Sequence, residues 1–264
     1  MKEEFLLWDN AVSGENFPTI THYKAFVRSS NATVVIFPGG GYAGLSPHEG
    51  EGYAQFFNII GMDAFVVKYR VAPNRFPIPL LDARRAVRFV RANAEKFNID
   101  PNKVAVMGSS AGGHLSALIS TYRGEIAGEG VDEIDGYDYL PNAQILCYPV
   151  ICMHDRAVSH IGSNRNLLGE DWEKKAEAVS PDLIADDKTP PAFIWHTSDD
   201  EAVNVVNSLR YAEKLHSLHI PTELIVYPHG GHGEGVAPAY EINRRWTDEL
   251  DKWLGYIGFI NRHY

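Results

Sequence analysis

Between the short apolar run Lys103-Val104-Ala105-Val106-Met107 and the helix-like run His114-Leu115-Ser116-Ala117-Leu118-Ile119 lies the pentapeptide Gly108-Ser109-Ser110-Ala111-Gly112. A Gly-x-Ser-x-Gly between strand and helix is the pattern of a nucleophile elbow, whose strained turn lifts the central serine clear of the backbone. Glycines are needed because a side chain would collide with the neighbouring strand and helix at so sharp a bend. The candidate nucleophile is therefore Ser110, not Ser109. A plain glycine-rich turn fits the pentapeptide equally well when it is taken alone, so the rest of the chain has to decide.

Apolar runs with the mark of strands covered on both faces recur at Ala32 to Phe37, Asp63 to Tyr69, Ala143 to Tyr148 and Ala192 to Thr197, with a further strand at Thr222 to Tyr227. Residues 19–28 partly alternate and predict a half-exposed antiparallel edge strand. Between the strands lie helical patterns. Ser46-Pro47-His48-Glu49 reads as a capping box with proline at the first helical position. Ala83, Ala86, Val87, Val90, Ala94 and Phe97 repeat at three and four, as do Val205, Leu209, Ala212, Leu215 and Leu218, and Trp246, Leu250, Trp253 and Ile257. Such alternation specifies a mostly parallel sheet of about seven to eight strands with helices on both faces. No repeat, low-complexity tract or linker divides the chain, so residues 1–264 are expected to form one α/β domain. The polar stretch from Tyr122 to Pro141 and the irregular stretch from 150 to 189, with a helix start at Ser180-Pro181, are the candidate pocket-shaping excursions, at about 122–142 and 150–189.

A formal net charge of −10 argues against a nucleic-acid partner, since phosphates call for a basic face. No apolar run approaches the roughly 20 residues of a membrane span, and Met1-Lys2-Glu3-Glu4-Phe5 has none of the apolar character of a signal peptide. The expected location is cytoplasmic. Cys147 and Cys152 would stand roughly 16–18 Å apart on an extended run, beyond disulfide reach, so both are expected to be buried free thiols. Aromatic residues at Tyr256, Phe259 and Tyr264 offer a C-terminal contact should the protein form an oligomer.

Ligands of such a sheet sit at the carboxyl ends of its strands, and four ends carry unusual residues. Pro38-Gly39-Gly40-Gly41-Tyr42 follows the first buried strand, and consecutive glycines leave N–H groups free to point at a developing oxyanion. The elbow adds the N–H of Ala111. Thr197-Ser198-Asp199-Asp200-Glu201-Ala202-Val203 supplies two carboxylates, and His229-Gly230-Gly231-His232-Gly233 supplies two imidazoles. A serine hydroxyl is inert at neutral pH unless an imidazole accepts its proton, and that imidazole needs a carboxylate to fix its tautomer. His232, flanked by glycines, is favoured over His229 as the base, and His114 is placed to pack behind Ser110. Asp199 and Asp200 remain alternatives on position alone, since either could cap the next helix, while Asp182, Asp186 and Asp187 read as cap and loop residues. No acidic or cysteine ligands cluster with the two histidines, so no metal and no cofactor are expected. A rival reading takes Gly39-x-Gly41-x-x-Gly44 as a dinucleotide fingerprint with Arg70 near a 2′-phosphate. There the helix would open inside the motif, whereas the helix-start signal here lies beyond it, at Ser46-Pro47.

Assembled, these pieces resemble the α/β-hydrolase superfamily, in particular the carboxylesterases related to hormone-sensitive lipase and the bacterial acetylxylan esterases. The resemblance runs from about Val34 to Trp253. It rests on Phe37-Pro38-Gly39-Gly40-Gly41-Tyr42, Asp100-Pro101, Gly108-Ser109-Ser110-Ala111-Gly112-Gly113-His114-Leu115 and Tyr227-Pro228-His229-Gly230-Gly231-His232-Gly233. It implies an α/β-hydrolase fold and a serine esterase with the triad Ser110, Asp200 and His232. The acid of such proteins heads an Asp-x-x-Val step, here Asp200-Glu201-Ala202-Val203, and their oxyanion donors map onto Gly40, Gly41 and Ala111. Two positions depart from the pattern. Pro38 stands where lipase-like members have histidine, and Asn204 where a proline usually follows. The implied substrate is a short-acyl ester, an acetylated sugar or xylo-oligosaccharide. An arylformamidase-type amide is the second expectation, and a non-catalytic binding scaffold is the alternative from another class.

Overall fold

The buried apolar runs become the middle of an eight-stranded sheet in the computed structural model, which describes residues 2–8, 17–236 and 240–261. The strands are β1 (Lys2–Leu6), β2 (Thr19–Tyr23), β3 (Thr33–Phe37), β4 (Asp63–Lys68), β5 (Val104–Ser109), β6 (Ala143–Cys147), β7 (Ala192–Thr197) and β8 (Thr222–Tyr227). They lie side by side in the order β1-β2-β4-β3-β5-β6-β7-β8. Pairing is antiparallel for β1 with β2 and β2 with β4, and parallel from β4 onward to β8. The predicted strand at 19–28 thus stops at Tyr23, because the Ala25 N–H and Arg28 turn away to bond Asp63. It is not the edge either: β1 covers it.

Helices α1 (Glu51–Ile59), α2 (Ile78–Ala92), α3 (Ala94–Phe97), α4 (Ser110–Thr121), α5 (Ile161–Leu168), α6 (Pro181–Ile184), α7 (Val206–Ser217) and α8 (Arg245–Tyr256) complete the fold. Side chains alternate across the strands. Val35 and Phe37 pack with α2 and α4 on one face, and Val34 and Ile36 pack with α1 and α8 on the other. The α7 residues Tyr211 and Leu215 join the first of these faces beside Leu146 and Ile194. The long helix read through Phe97 is interrupted at Asn93, and the one starting at Ser180-Pro181 lasts a single turn. Both cysteines are buried free thiols. Phe259 is buried and Tyr256 exposed, and Tyr264 lies outside the described residues. None of the described helices is long and apolar enough to cross a membrane.

The two excursions differ in what they touch. The stretch 122–142 folds over α2, whose four arginines are buried. Arg84 donates to Tyr122 O, Gly124 O and Glu129, Arg85 to Asp132 and Asp135, Arg88 to Glu129 and Tyr137 O, and Arg91 to Asp138 O and Asn142. Helix α2 is therefore covered on both sides, not on one apolar face. The stretch 150–189 instead carries α5 to the strand ends, where the Asn166 side-chain amide donates to Gly41 O at 2.8 Å.

Asp63, at the start of β4, anchors the sheet's other end. Its side chain is 1 % exposed and receives hydrogen bonds from His22, the Ala25 N–H and Arg28. Burial acts to raise this carboxyl, but those bonds outweigh it and hold it below the usual carboxylate range. A depressed carboxyl stabilises the fold above its unfolded value, about 3.9, and that contribution disappears as pH falls through the folded value. Asp63→Asn is therefore expected to lose about 3 kcal/mol at pH 7, with the gap to wild type closing below about pH 4, as read by urea denaturation across pH.

Candidate active site

Strand β5 feeds directly into α4 through Ser110, whose φ of 52° lies in the left-handed region. So tight a turn forces close backbone contacts. A Cβ on Gly108 would stand 2.1 Å from Gly112 O, and one on Gly112 would stand 2.0 Å from Phe37 O. Only glycine fits either position. The strained turn exposes Oγ at the strand's carboxyl end while the residue as a whole stays 6 % exposed.

Facing it, His232 Nε2 lies 2.8 Å from Ser110 Oγ, and His232 Nδ1 lies 2.7 Å from Asp200 Oδ2. Because Nδ1–H donates to the carboxylate, Nε2 is left bare to accept the serine proton. The Asp200 side chain has no exposed surface. Its Oδ1 accepts from the N–H groups of Ala202 and Val203, both at 2.9 Å. Burial acts to raise this carboxyl, yet the hydrogen bonds from His196 and His232, the His232 charge and the Val203 N–H hold it well below the usual carboxylate range. The competing residues form a separate pair on the surface. His229 Nδ1 meets Asp199 Oδ2 at 3.0 Å, with side chains 71 % and 50 % exposed. Geometry alone thus distinguishes Asp200 from Asp199.

The glycines after β3 turn beside the elbow, because β3 pairs with β5 and sets Phe37 opposite Gly108. Gly40 and Gly41 take φ values of 133° and 64°, which favour glycine. No acceptor among the described residues pairs with their N–H groups, and the N–H of Ala111 lies in the first turn of α4, where a helix supplies no acceptor. Three N–H groups without an acceptor among the described residues thus lie on the two turns that meet at the elbow. The dinucleotide alternative loses its support here. No helix opens within 39–44, and the Arg70 guanidinium is held by Asp82 at 2.6 Å.

His114 packs behind the elbow as expected. It bonds the Tyr42 hydroxyl and Val179 O, and burial pushes its imidazole down to about 4. Several neighbours escaped the sequence reading. His196, on β7, places Nε2 at 3.2 Å from Asp200 Oδ2 and 2.9 Å from Val203 O, with Nδ1 on the Ser208 hydroxyl. Its position four residues before Asp200 was the only signal available. His160 caps α5 close to Gly41, and burial, then the neighbouring His232, push its imidazole down. Tyr148 sets its ring edge against His232 at 5.0 Å between centroids. Away from these residues, Cys152, His154 and Asp182 form one group of metal-type ligands among the described residues. A guanidinium nitrogen of Arg210 already stands 3.2 Å from Cys152 Sγ, so a cation there would meet a positive charge.

The BD-FAE family profile matches residues 22–215, which include the Gly39–Gly41 turn, Ser110 and Asp200. The chain belongs to the BD-FAE family, α/β-hydrolase esterases. The acetylxylan esterase of Xylanibacter ruminicola is 36 % identical over 86 % of this chain and 46 % of its own length. The endo-1,4-beta-xylanase B of Butyrivibrio fibrisolvens is 38 % identical over 77 % of this chain and 32 % of its own. The chain therefore spans about a third to a half of these curated relatives. A crystal structure of an acetyl ester-xyloside bifunctional hydrolase from Caldicellulosiruptor lactoaceticus superposes with a TM-score of 0.91 at 38 % identity. The match covers 98 % of this chain and 97 % of that one, so it spans the region of His232 that lies beyond the BD-FAE match.

Labelling by a fluorophosphonate measures how strongly the serine is activated. The labelling rate is expected to fall by about 10³–10⁴ in Asp200→Asn and His232→Ala. It should stay within about twofold of wild type in Asp199→Asn and His229→Ala, which sit outside the hydrogen-bond chain.

Proposed function

We propose that the protein is a serine carboxylesterase that removes short acyl groups, acetyl above all, from acetylated xylose-type carbohydrates. One observation carries the reading: the unbroken hydrogen-bond chain Ser110–His232–Asp200, at 2.8 and 2.7 Å, rising from a strained elbow. The names of the relatives, an acetylxylan esterase and an acetyl ester-xyloside hydrolase, support the substrate class.

In this mechanism Ser110 Oγ attacks the ester carbonyl carbon as its proton passes to His232 Nε2. The carbonyl oxygen becomes an oxyanion held by the N–H groups of Gly40, Gly41 and Ala111. Asp200 stabilises the imidazolium formed and remains ionised throughout, as its depressed carboxyl requires. Collapse of the tetrahedral intermediate breaks the bond to the alcohol oxygen, which takes the proton from His232. A water then gives its proton to the same nitrogen and attacks the acyl-serine. The second collapse releases the acid and returns the proton to Ser110. Each proton step is served by one imidazole, and no cofactor enters the cycle.

Hydrolysis of p-nitrophenyl acetate, butyrate and octanoate, with acetylated xylose and N-formylkynurenine alongside, tests the reading. Acetyl is expected to be the preferred acyl group, acetylated xylose to be deacetylated, and Ser110→Ala to lower kcat by about 10⁴-fold or more. A preference for octanoate would exclude the sugar deacetylase, and a preference for the formamide would move the protein to amide hydrolysis.

A further inference from the structure

In the capping-box pattern Ser46-Pro47-His48-Glu49, Glu49 has a local task as the third helical residue. The structure uses it otherwise. Ser46 makes no side-chain cap bond, Pro47–Glu49 is a short 3₁₀ turn, and the α-helix begins only at Glu51. The Glu49 side chain points inward and the residue is 2 % exposed. Its Oε2 accepts the N–H of Gly39 at 2.8 Å, and its Oε1 accepts the Tyr148 hydroxyl at 2.8 Å. Both oxygens face donors, the pattern an ionised carboxylate takes. A buried charge of this kind is costly unless hydrogen-bonded, which makes its location informative.

Three loops of the site meet at this carboxylate. Gly39 immediately precedes the oxyanion glycines. A Cβ built on it would stand 2.5 Å from Glu49 Oε2 and 3.1 Å from Ser110 Cβ, so the carboxylate lies against the elbow. Tyr148, which donates to Glu49, accepts the N–H of Gly235 at 3.0 Å and presents its ring edge to His232. The His232 loop comes close on its own account, since a Cβ on Gly233 would stand 4.0 Å from Glu49 Oε1. We propose that Glu49 is a positioning residue of this site: its buried carboxylate ties the Gly39–Gly41 oxyanion loop, through Tyr148, to the loop that carries His232, and holds a fixed negative charge across Tyr148 from that imidazole. The proposal rests on the serine-hydrolase reading and assigns Glu49 no contact with substrate.

Of the titratable groups around Glu49, His232 is the inward-facing one that takes up a proton in the proposed cycle. Tyr53 from α1, Tyr69 after β4, Cys147 at the end of β6 and Tyr148 beyond it face the carboxylate. Burial, followed by neighbouring charges that include Glu49, pushes all three phenols far up, and burial pushes the Cys147 thiol up to about 12, so all four keep their protons. His48, on the same turn as Glu49, is exposed and bonds Gly233 O. A negative charge beside an imidazole favours its protonated form, which is the form His232 must take at each tetrahedral intermediate.

The test uses the whole chain in three variants, with p-nitrophenyl acetate followed across pH. Glu49→Gln keeps the shape and removes the charge. Its kcat is expected to fall about 10- to 100-fold with KM within about threefold, and the acid limb of kcat/KM, which reports protonation of the base, should move to lower pH. Tyr148→Phe keeps the charge and cuts the tie, so kcat should fall while the acid limb stays in place. Wild-type kcat and an unmoved acid limb in folded Glu49→Gln would overturn the proposal, and so would a loss confined to KM. If Glu49→Gln fails to fold, a Tyr148→Phe enzyme with wild-type kcat overturns it instead. Ser110→Ala separates the two readings, because activity surviving in that variant would sink the serine mechanism itself, whatever Glu49 does.

Discussion

The hydrogen bond from His232 Nδ1 to Asp200 Oδ2 is the contact on which the rest of the site depends. His232 sits on a loop with glycine on either side, and 23 % of its side chain is exposed. This bond, the one from Nε2 to Ser110 Oγ and the edge of Tyr148 fix the ring. Asp200 can serve because it is itself immobilised. Two backbone N–H groups hold one of its oxygens, while His196 shares the other with His232. The buried carboxylate thus sets both the tautomer and the orientation of the imidazole, and through them the direction in which Ser110 can release its proton. An immobilised acid thus orients a base carried on a glycine-flanked loop.

The sheet brings these parts together without any of them being near in sequence. Parallel strands run their carboxyl ends to one side, so the residues after β3, β5, β7 and β8 converge there. The pairing of Phe37 with Gly108 holds the oxyanion turn against the elbow. Helix α5, from the irregular stretch before β7, then closes over that turn by way of Asn166 and His160. The acidic stretch 122–142 has a different task, since Glu129, Asp132, Asp135 and several of its carbonyls accept hydrogen bonds from the arginines of α2.

Residues whose task is local or periodic were legible in the sequence. The elbow glycines, the apolar strands and the order of glycines, serine, aspartate and histidine all follow from spacing alone, and seven of the eight strands lie where the pattern puts them, two of them, β7 and β8, to the residue. The exposed pair His229 and Asp199 shows why His232 and Asp200 needed more than spacing, because both histidines and both aspartates sit at the right strand ends. Residues whose partners are distant were not legible. Strand β1 is short and polar, and only its pairing with β2 makes it a strand. The α2 arginines resemble a solvated helix face until the stretch at 122–142 covers them. Glu49 looked like a capping residue because Ser-Pro-x-Glu has that meaning locally, and its actual partners are 10 and 99 residues away.

In the proposed cycle the acyl group passes through Ser110. Quenching the enzyme in acid within milliseconds of mixing it with p-nitrophenyl acetate, then sequencing its peptides by mass spectrometry, tests this directly. A transient acetyl group is expected on Ser110, absent when His232 is replaced by alanine. An acetyl group on Ser109, or turnover with no acetylated serine at any time point, would contradict it.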